Sequence, residues 1–276
     1  MRKRSKKCSI LLLAAVFLLT GCAPGKGEPA SVIEPEQSDL EYIQSKETLI
    51  VGVTDFAPMD YRSRESWTGF DADLAKAFAE SIGVALELRE INWDKKTELL
   101  EKGSIDCIWN GMTMSEELKE SISCSEPYLS NAQVVVLRSS EKEQYSTIEA
   151  CQHMLFAVEA GSMGEALLER RKYRYSVCPT QMDALKAVQA KRADAAVIDL
   201  IMAAYYTGEG QAFKGLKIDI YLNDETICVG LRKDSDLTEK VNEFLRNAYE
   251  DGTINALAER YGIENAVLKT GSVKNG

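Results

Sequence analysis

Short apolar runs alternate with amphipathic helical patterns along most of this chain, and the alternation restarts midway. Leu49-Ile50-Val51-Gly52-Val53 is a run of the kind buried in a parallel sheet. Leu74, Phe78 and Ile82 then share one helix face, with Asp71 placed to cap its start and Gly83 to end it. Val84, Leu86 and Leu88 alternate as a strand. Asp94 opens a helix that ends near Gly103, and residues 105–109 read as the next strand. A short helix from Ser115 and a strand over 134–137 complete the series. A second series starts near Thr147. It has a strand at 155–158, a helix opened by Gly161-Ser162, a helix face marked by Met182, Leu185 and Val188, and a buried strand at 195–198. Two helices close the chain, the first carrying the stripe Leu237, Val241, Phe244, Leu245 and Ala248. This order specifies an α/β protein.

The two series share an echo. Lys102-Gly103-Ser104-Ile105-Asp106 leads into a strand ending at Asn110, and Lys191-Arg192-Ala193-Asp194 leads into a strand ending at Asp199. Helix, polar turn, Asp, apolar strand and polar residue recur in that order, which predicts two similar lobes. Ligands of open α/β sheets bind beyond the carboxyl ends of the strands, where Asn110 and Asp199 stand.

The amino terminus predicts an address. Arg2, Lys3, Arg4, Lys6 and Lys7 precede an apolar run over 10–19, too short for a permanent membrane span and flanked like a secretory signal. It ends in Leu19-Thr20-Gly21-Cys22, which resembles a bacterial lipobox; an ordinary signal peptide with an incidental cysteine is the alternative. On the lipobox reading, residues 1–21 are removed and Cys22 is lipidated. The product is then an exported chain anchored on the outer face of the cell membrane, or a periplasmic one. Losing five basic and no acidic side chains moves the formal charge from −10 to −15. Such a surface repels nucleic acid and anionic lipid. Residues 22–45, rich in Pro, Gly, Glu and Ser, read as a flexible tether. Beyond Cys22 come Cys107, Cys124, Cys151, Cys178 and Cys228, with no C-x-x-C pair, so buried thiols are expected rather than a metal site.

Six fragments occur in order: Val51-Gly52-Val53, Phe56-Ala57-Pro58, Thr68-Gly69-Phe70-Asp71-Ala72-Asp73-Leu74, Gly111-Met112-Thr113, Ser125-Glu126-Pro127-Tyr128 and Asp251-Gly252-Thr253. Together they resemble the extracellular solute-binding proteins of family 3, receptors of polar amino-acid ABC importers. The resemblance spans 48–262. It implies the two-lobe periplasmic-binding-protein fold of type II, with lobes joined by two crossing strands. Lobe one would take 46–131 plus 228–264, lobe two 132–227, and 265–276 would be a tail. It implies a monomer that needs no cofactor or metal, closes on a small solute by hinge motion and presents it to an ABC permease.

The resemblance also implies site residues. Phe56 and Trp93 match pocket aromatics, though either ring could instead pack in its lobe core. Asn110, Gly111 and Thr113 match the segment that hydrogen-bonds ligand, while Thr113 could also cap a helix with Glu116. Asp199 matches the carboxylate that holds an α-ammonium, or it is a helix N-cap. Ser162 begins a helix whose N–H groups could receive an anion. Trp109 is expected to pack in its strand.

The pattern breaks in two places. Leu118 stands where the family's carboxylate-gripping arginine belongs, and Lys119 points about 100° away on a helix. Met163 replaces a carboxylate-binding threonine, and Glu159 adds an acid. The cleft is therefore expected to have lost a cation and to favour positive charge. Two ligands remain open: an amino acid whose carboxylate rests on helix N-termini near Ser115 and Ser162, or an amine boxed by Phe56, Trp93, Asp199 and Glu159. A tethered sensor without dedicated transport is an alternative function. A dehydratase-like enzyme is another, but His153 is the only histidine and no catalytic motif appears, so no catalytic residue is expected.

Overall fold

The computed structural model describes residues 38–141, 145, 147–208 and 210–268. The signal segment and Cys22 lie outside the described residues. The first half carries α1 (Asp39–Ser45), β1 (Thr48–Val53), β2 (Tyr61–Ser63), β3 (Ser66–Thr68), α2 (Phe70–Ser81) and β4 (Ala85–Glu90). It continues through α3 (Lys96–Glu101), β5 (Cys107–Ile108), α4 (Glu116–Ser121), β6 (Ser123–Cys124) and β7 (Leu129–Arg138). Then come β8 (Leu155–Glu159), α5 (Met163–Arg170), β9 (Arg174–Cys178), α6 (Gln181–Gln189), β10 (Ala195–Asp199), α7 (Leu200–Tyr206) and β11 (Leu216–Ile227). The chain returns through β12 (Gly230–Leu231), α8 (Leu237–Glu250) and α9 (Thr253–Tyr261).

Two five-stranded sheets organise these elements. The first runs β4-β1-β5-β12-β6 and the second β11-β7-β10-β8-β9. In each, βα units supply parallel pairs (β1 with β4 and β5, β8 with β9 and β10) and returning strands pair antiparallel. Each sheet is covered on both faces by apolar clusters, and Ile201 and Met202 of α7 join the largest of them. The long strands β7 and β11 pair antiparallel from Leu216 opposite Arg138 to Ile227 opposite Leu129. They carry the chain out of the first lobe and back.

The sequence echo has a structural counterpart. Asp106 donates its N–H to the Ile50 carbonyl (2.7 Å) and accepts the Ile50 N–H on its carboxylate (2.7 Å). Asp194 does the same with Leu155, at 2.9 Å for each bond. In both lobes an aspartate thus clamps the start of one strand to its parallel neighbour and aims the other strand end at the cleft.

Four local expectations are corrected. Residues 39–45, assigned to the tether, form α1: Ser38 caps it, Ile43 is buried in the lobe-one core, and Asp39 pairs with Arg232 at 2.8 Å. Asp71 does not cap α2, which starts at Phe70 behind Gly69; its carboxylate is buried instead. Thr113 does not cap α4, because the Ser115 hydroxyl accepts the Leu118 N–H (3.2 Å). Residues 264–268, partly assigned to a tail, pack on lobe one, where Val267 bridges Leu129 and the Ala266 carbonyl accepts from Ser130 (3.1 Å). Trp109 is fully buried among Phe78, Tyr128 and Phe244, as its strand position predicts.

Candidate functional site

The carboxyl ends of β1 and β5 in one lobe face those of β8 and β10 in the other across a cleft of about 490 Å³. Phe56, Trp93, Asn110, Gly111, Thr113, Glu159, Ser162 and Asp199 all line it. Their side chains do different work.

On lobe one, Asn110 is already satisfied. Its carbonyl oxygen accepts the Thr54 N–H (3.0 Å) and hydroxyl (2.7 Å), and its amide donates to Asp60 (2.7 Å) and the Thr54 carbonyl (3.2 Å). The side chain therefore braces the cleft wall rather than reaching into it. Gly111 gives its N–H to Asp71 (2.6 Å), whose other oxygen accepts from Tyr128 (2.8 Å). Gly111 has φ +56°, and a Cβ there would sit 2.3 Å from the Phe56 ring. Only glycine lets that ring lie flush with the wall. The Thr113 hydroxyl donates to Glu225 (3.0 Å). Behind the wall, burial raises both Asp60 and Asp71, Asp71 to about 7, favouring neutral acids.

On lobe two, Asp199 ends β10 at the N-cap position of α7 but makes no cap bond. Asn131 approaches the Ile201 N–H instead (3.4 Å), and the Asp199 carboxylate receives amide N–H groups from Asn131, Gln133 (3.0 Å) and Gln181. Burial pushes Asp199 up to about 7, with Glu225 adding to the rise and the three amides opposing it. Burial and then Asp199 push Glu159 up to about 8, against Gln181 and Lys96. Each has a neutral form accessible near pH 7, and a cation between them would draw both to the ionised form.

The cation missing at position 118 stays missing, but the cleft is not without positive charge, because Lys96 lines it from another position. It is 8% exposed, and its ammonium lies 4.7 Å from the centre of the Trp93 ring. Burial lowers its pKa while Glu159, Asp94 and Glu165 hold it up. Its Nζ donates to the Gly161 carbonyl of the opposite lobe at 2.9 Å. Gly161 also packs so near lobe one that a Cβ would come within 2.9 Å of the Asp94 Cα. The lobes touch here, so this is a closed arrangement. The sequence signal was the Trp93-x-x-Lys96 spacing, one helical turn, which sets the ammonium over the ring.

Leu118 lines the cleft at the expected register, while Lys119 pairs with Glu116 at the surface (2.7 Å). The start of α5 is partly self-satisfied: the Ser162 hydroxyl accepts the Glu165 N–H (3.2 Å), and Glu165 takes the Gly161 N–H (2.7 Å). The N–H groups of Gly161, Ser162 and Glu165 are thus taken before a ligand arrives. Among the described residues the lining carries five carboxylates (Glu117, Glu159, Glu165, Glu169, Asp199) against one ammonium, Lys96. His153 is exposed and outside the cleft.

Residues 49–264 match the bacterial extracellular solute-binding proteins, family 3. The chain belongs to that family. Among similar solute-binding proteins is the arginine-binding extracellular protein ArtP of Bacillus subtilis, 25% identical over 264 residues, covering 93% of this chain and 98% of ArtP. A substrate-binding protein of an ABC uptake transporter from Streptococcus pneumoniae, solved with bound histidine, superposes with a TM-score of 0.78 and 29% identity. That match covers 84% of this chain and 99% of the other. The family's reach also extends to enzymes. Membrane-bound lytic murein transglycosylase F of Pseudomonas putida is 27% identical over 272 residues, 93% of this chain but 53% of that protein. These likenesses establish the two-lobe binding-protein fold that the sequence resemblance implies.

Proposed function

We propose that this solute-binding protein captures a small solute carrying net positive charge, a basic amino acid or an amine, and presents it to an ABC importer. The carrying observation is the cleft charge: Glu159 and Asp199 are buried on lobe two, and Lys96 is the sole basic lining residue among those described. A cationic group placed between the two acids pairs with both, while Phe56 and Trp93 supply the flat apolar surfaces that suit an alkyl chain or guanidinium. The likeness to ArtP agrees with this charge preference. A free α-carboxylate has a poor seat, since Leu118 is apolar and Glu165 occupies the Gly161 amide. Amines therefore fit better than zwitterions, and arginine or lysine fit better than neutral amino acids.

Lipid anchoring through Cys22, action as a monomer and handover to a permease belong to the same proposal, resting on the leader pattern and the family. Receptor rather than enzyme is the reading adopted, because the match to ArtP covers 98% of that binding protein, whereas the match to the transglycosylase covers 53% of that enzyme. A thermal-shift screen of amino acids and polyamines, followed by calorimetric titration, tests the ligand class, since a molecule binding only the folded form raises Tm. Binding confined to neutral or acidic solutes would overturn it. Turnover of the bound solute, followed by mass spectrometry, would overturn the receptor reading.

A further inference from the structure

Cys124 and Cys228 lie in the first lobe where the chain re-enters from β11. Gly230 pairs with Cys124 across the antiparallel β6–β12 ladder, so Cys228, two residues earlier, projects to the same face as Cys124. Both side chains belong to one apolar cluster, and each thiol perturbs the titration of the other. The backbone around them is fastened. Ser125 donates to the Val229 carbonyl (2.9 Å), Val229 donates to the Ser125 hydroxyl (2.9 Å), and Cys228 donates to the Met112 carbonyl (2.9 Å). The two side chains are therefore diagonal neighbours on one face of a fastened ladder.

We infer that Cys124 and Cys228 form a disulfide when the protein meets a disulfide oxidant, fastening the first lobe at the exit of the hinge strand. The chemistry of the two thiols is asymmetric. Cys124 is part-exposed and its thiol is held below the ordinary range, first by the Cys228 thiol and then by Lys119 and Lys233 against burial. Cys228 is fully buried and is pushed up by the Cys124 thiol and by burial. Cys124 is thus the attacking thiolate and Cys228 the resolving thiol. The Cys124 sulfur bonds to one sulfur of the oxidant, whose other half leaves as a thiolate. The Cys228 thiol yields its proton to that thiolate, and its sulfur then displaces the second half from Cys124. Two cysteine thiols are oxidised to one disulfide, and one oxidant disulfide is reduced to two thiols.

Among the described residues, other partners are excluded by position. Cys107 faces the cluster on the opposite side of the same sheet, and Cys151 and Cys178 sit in the second lobe. The leader pattern predicts export, and extracytoplasmic compartments are where such oxidants act. The bridge would close a loop containing the whole second lobe, the long-loop case in which a crosslink most restricts the unfolded chain.

The test uses the full chain purified in reductant and then exposed to oxidised glutathione. Peptide mapping is expected to recover one linked pair, Cys124 with Cys228, and Tm is expected to rise by on the order of 10 °C relative to the reduced protein. Both effects vanish in C124S and in C228S. C124S, altered at the part-exposed position, is expected to fold as the wild type by circular dichroism and then serves as the reduced reference. Both thiols remaining free, a link joining any other pair, or a glutathione adduct that persists on Cys124 would overturn the inference.

Discussion

Glu159→Gln gives the sharpest test of the cleft's charge logic, because it predicts opposite signs for binding and for stability. Glu159 is 4% exposed and carries a pKa of about 8 in the empty cleft. Glutamine keeps its shape and its contact with Gln181 while removing the negative charge. A hydrogen bond to a charged group contributes about 1.5–3 kcal/mol, so Kd for a cationic solute is expected to weaken about 10- to 150-fold at pH 8.5. The wild type must ionise Glu159 to bind a cation. Its Kd should therefore weaken about tenfold per pH unit below pH 8, and more steeply below pH 7, where Asp199 also takes up a proton. In the variant the fall between pH 8 and 7 disappears and only the Asp199 limb remains. The ligand-free variant, relieved of a buried carboxylate, should melt higher than the wild type at pH 8.5. Calorimetric titration across pH 6–9 and thermal melts in the same buffers supply both readouts. Unchanged affinity with an unchanged pH profile would refute the assignment of Glu159 to the ligand.

Lys96→Met removes the ammonium that donates across the lobes to Gly161, so the closed-to-open ratio of the ligand-free protein should fall about 10- to 150-fold. Small-angle scattering should then report a larger radius of gyration; an unchanged radius would show that Lys96 is not a latch. Leu118→Arg places a guanidinium in the cleft wall and should raise affinity for α-amino acids tenfold or more, by bidentate capture of the carboxylate. No gain in titration would mean that the carboxylate seat is already filled by other donors. Asp60, Asp71, Glu159 and Asp199 all have raised pKa values in the folded state, so the native protein holds protons that the unfolded chain releases above pH 4. Ligand-free stability should therefore decline as pH rises from about 5 to about 8, and a flat or rising Tm over that window would contradict these burial effects.

The legible parts of the fold were those whose patterns are local. The buried runs of β1, β8 and β10 and the stripe of α8 carry their periodicity within a few residues. The strand β11 was missed because Lys217, Asp219, Asn223, Asp224 and Glu225 interrupt its apolar residues; pairing with β7, not burial, makes it a strand. The helix α1 hid in tether-like composition, since Ile43 is its one fully buried side chain. At the site, the eight candidates, drawn largely from the family resemblance, all line the cleft, and Leu118 lies at its expected register. What the sequence could not convey was which hydrogen-bond capacity was already taken. The partner of Asn110 is Thr54, 56 residues away, and that of Thr113 is Glu225, 112 residues away. Lys96 was overlooked for a similar reason, because its cross-lobe acceptor lies 65 residues further on.

The two connections between the lobes are hydrogen-bonded to one another along their length, from Ser130 opposite Thr226 to Val136 opposite Ile218. Two separate cords would allow the halves to slide, roll or splay independently. A single laced ribbon resists those excursions and yields mainly in torsion. Every occupant of the cleft, whatever its outline, is thereby converted into one angle between the jaws.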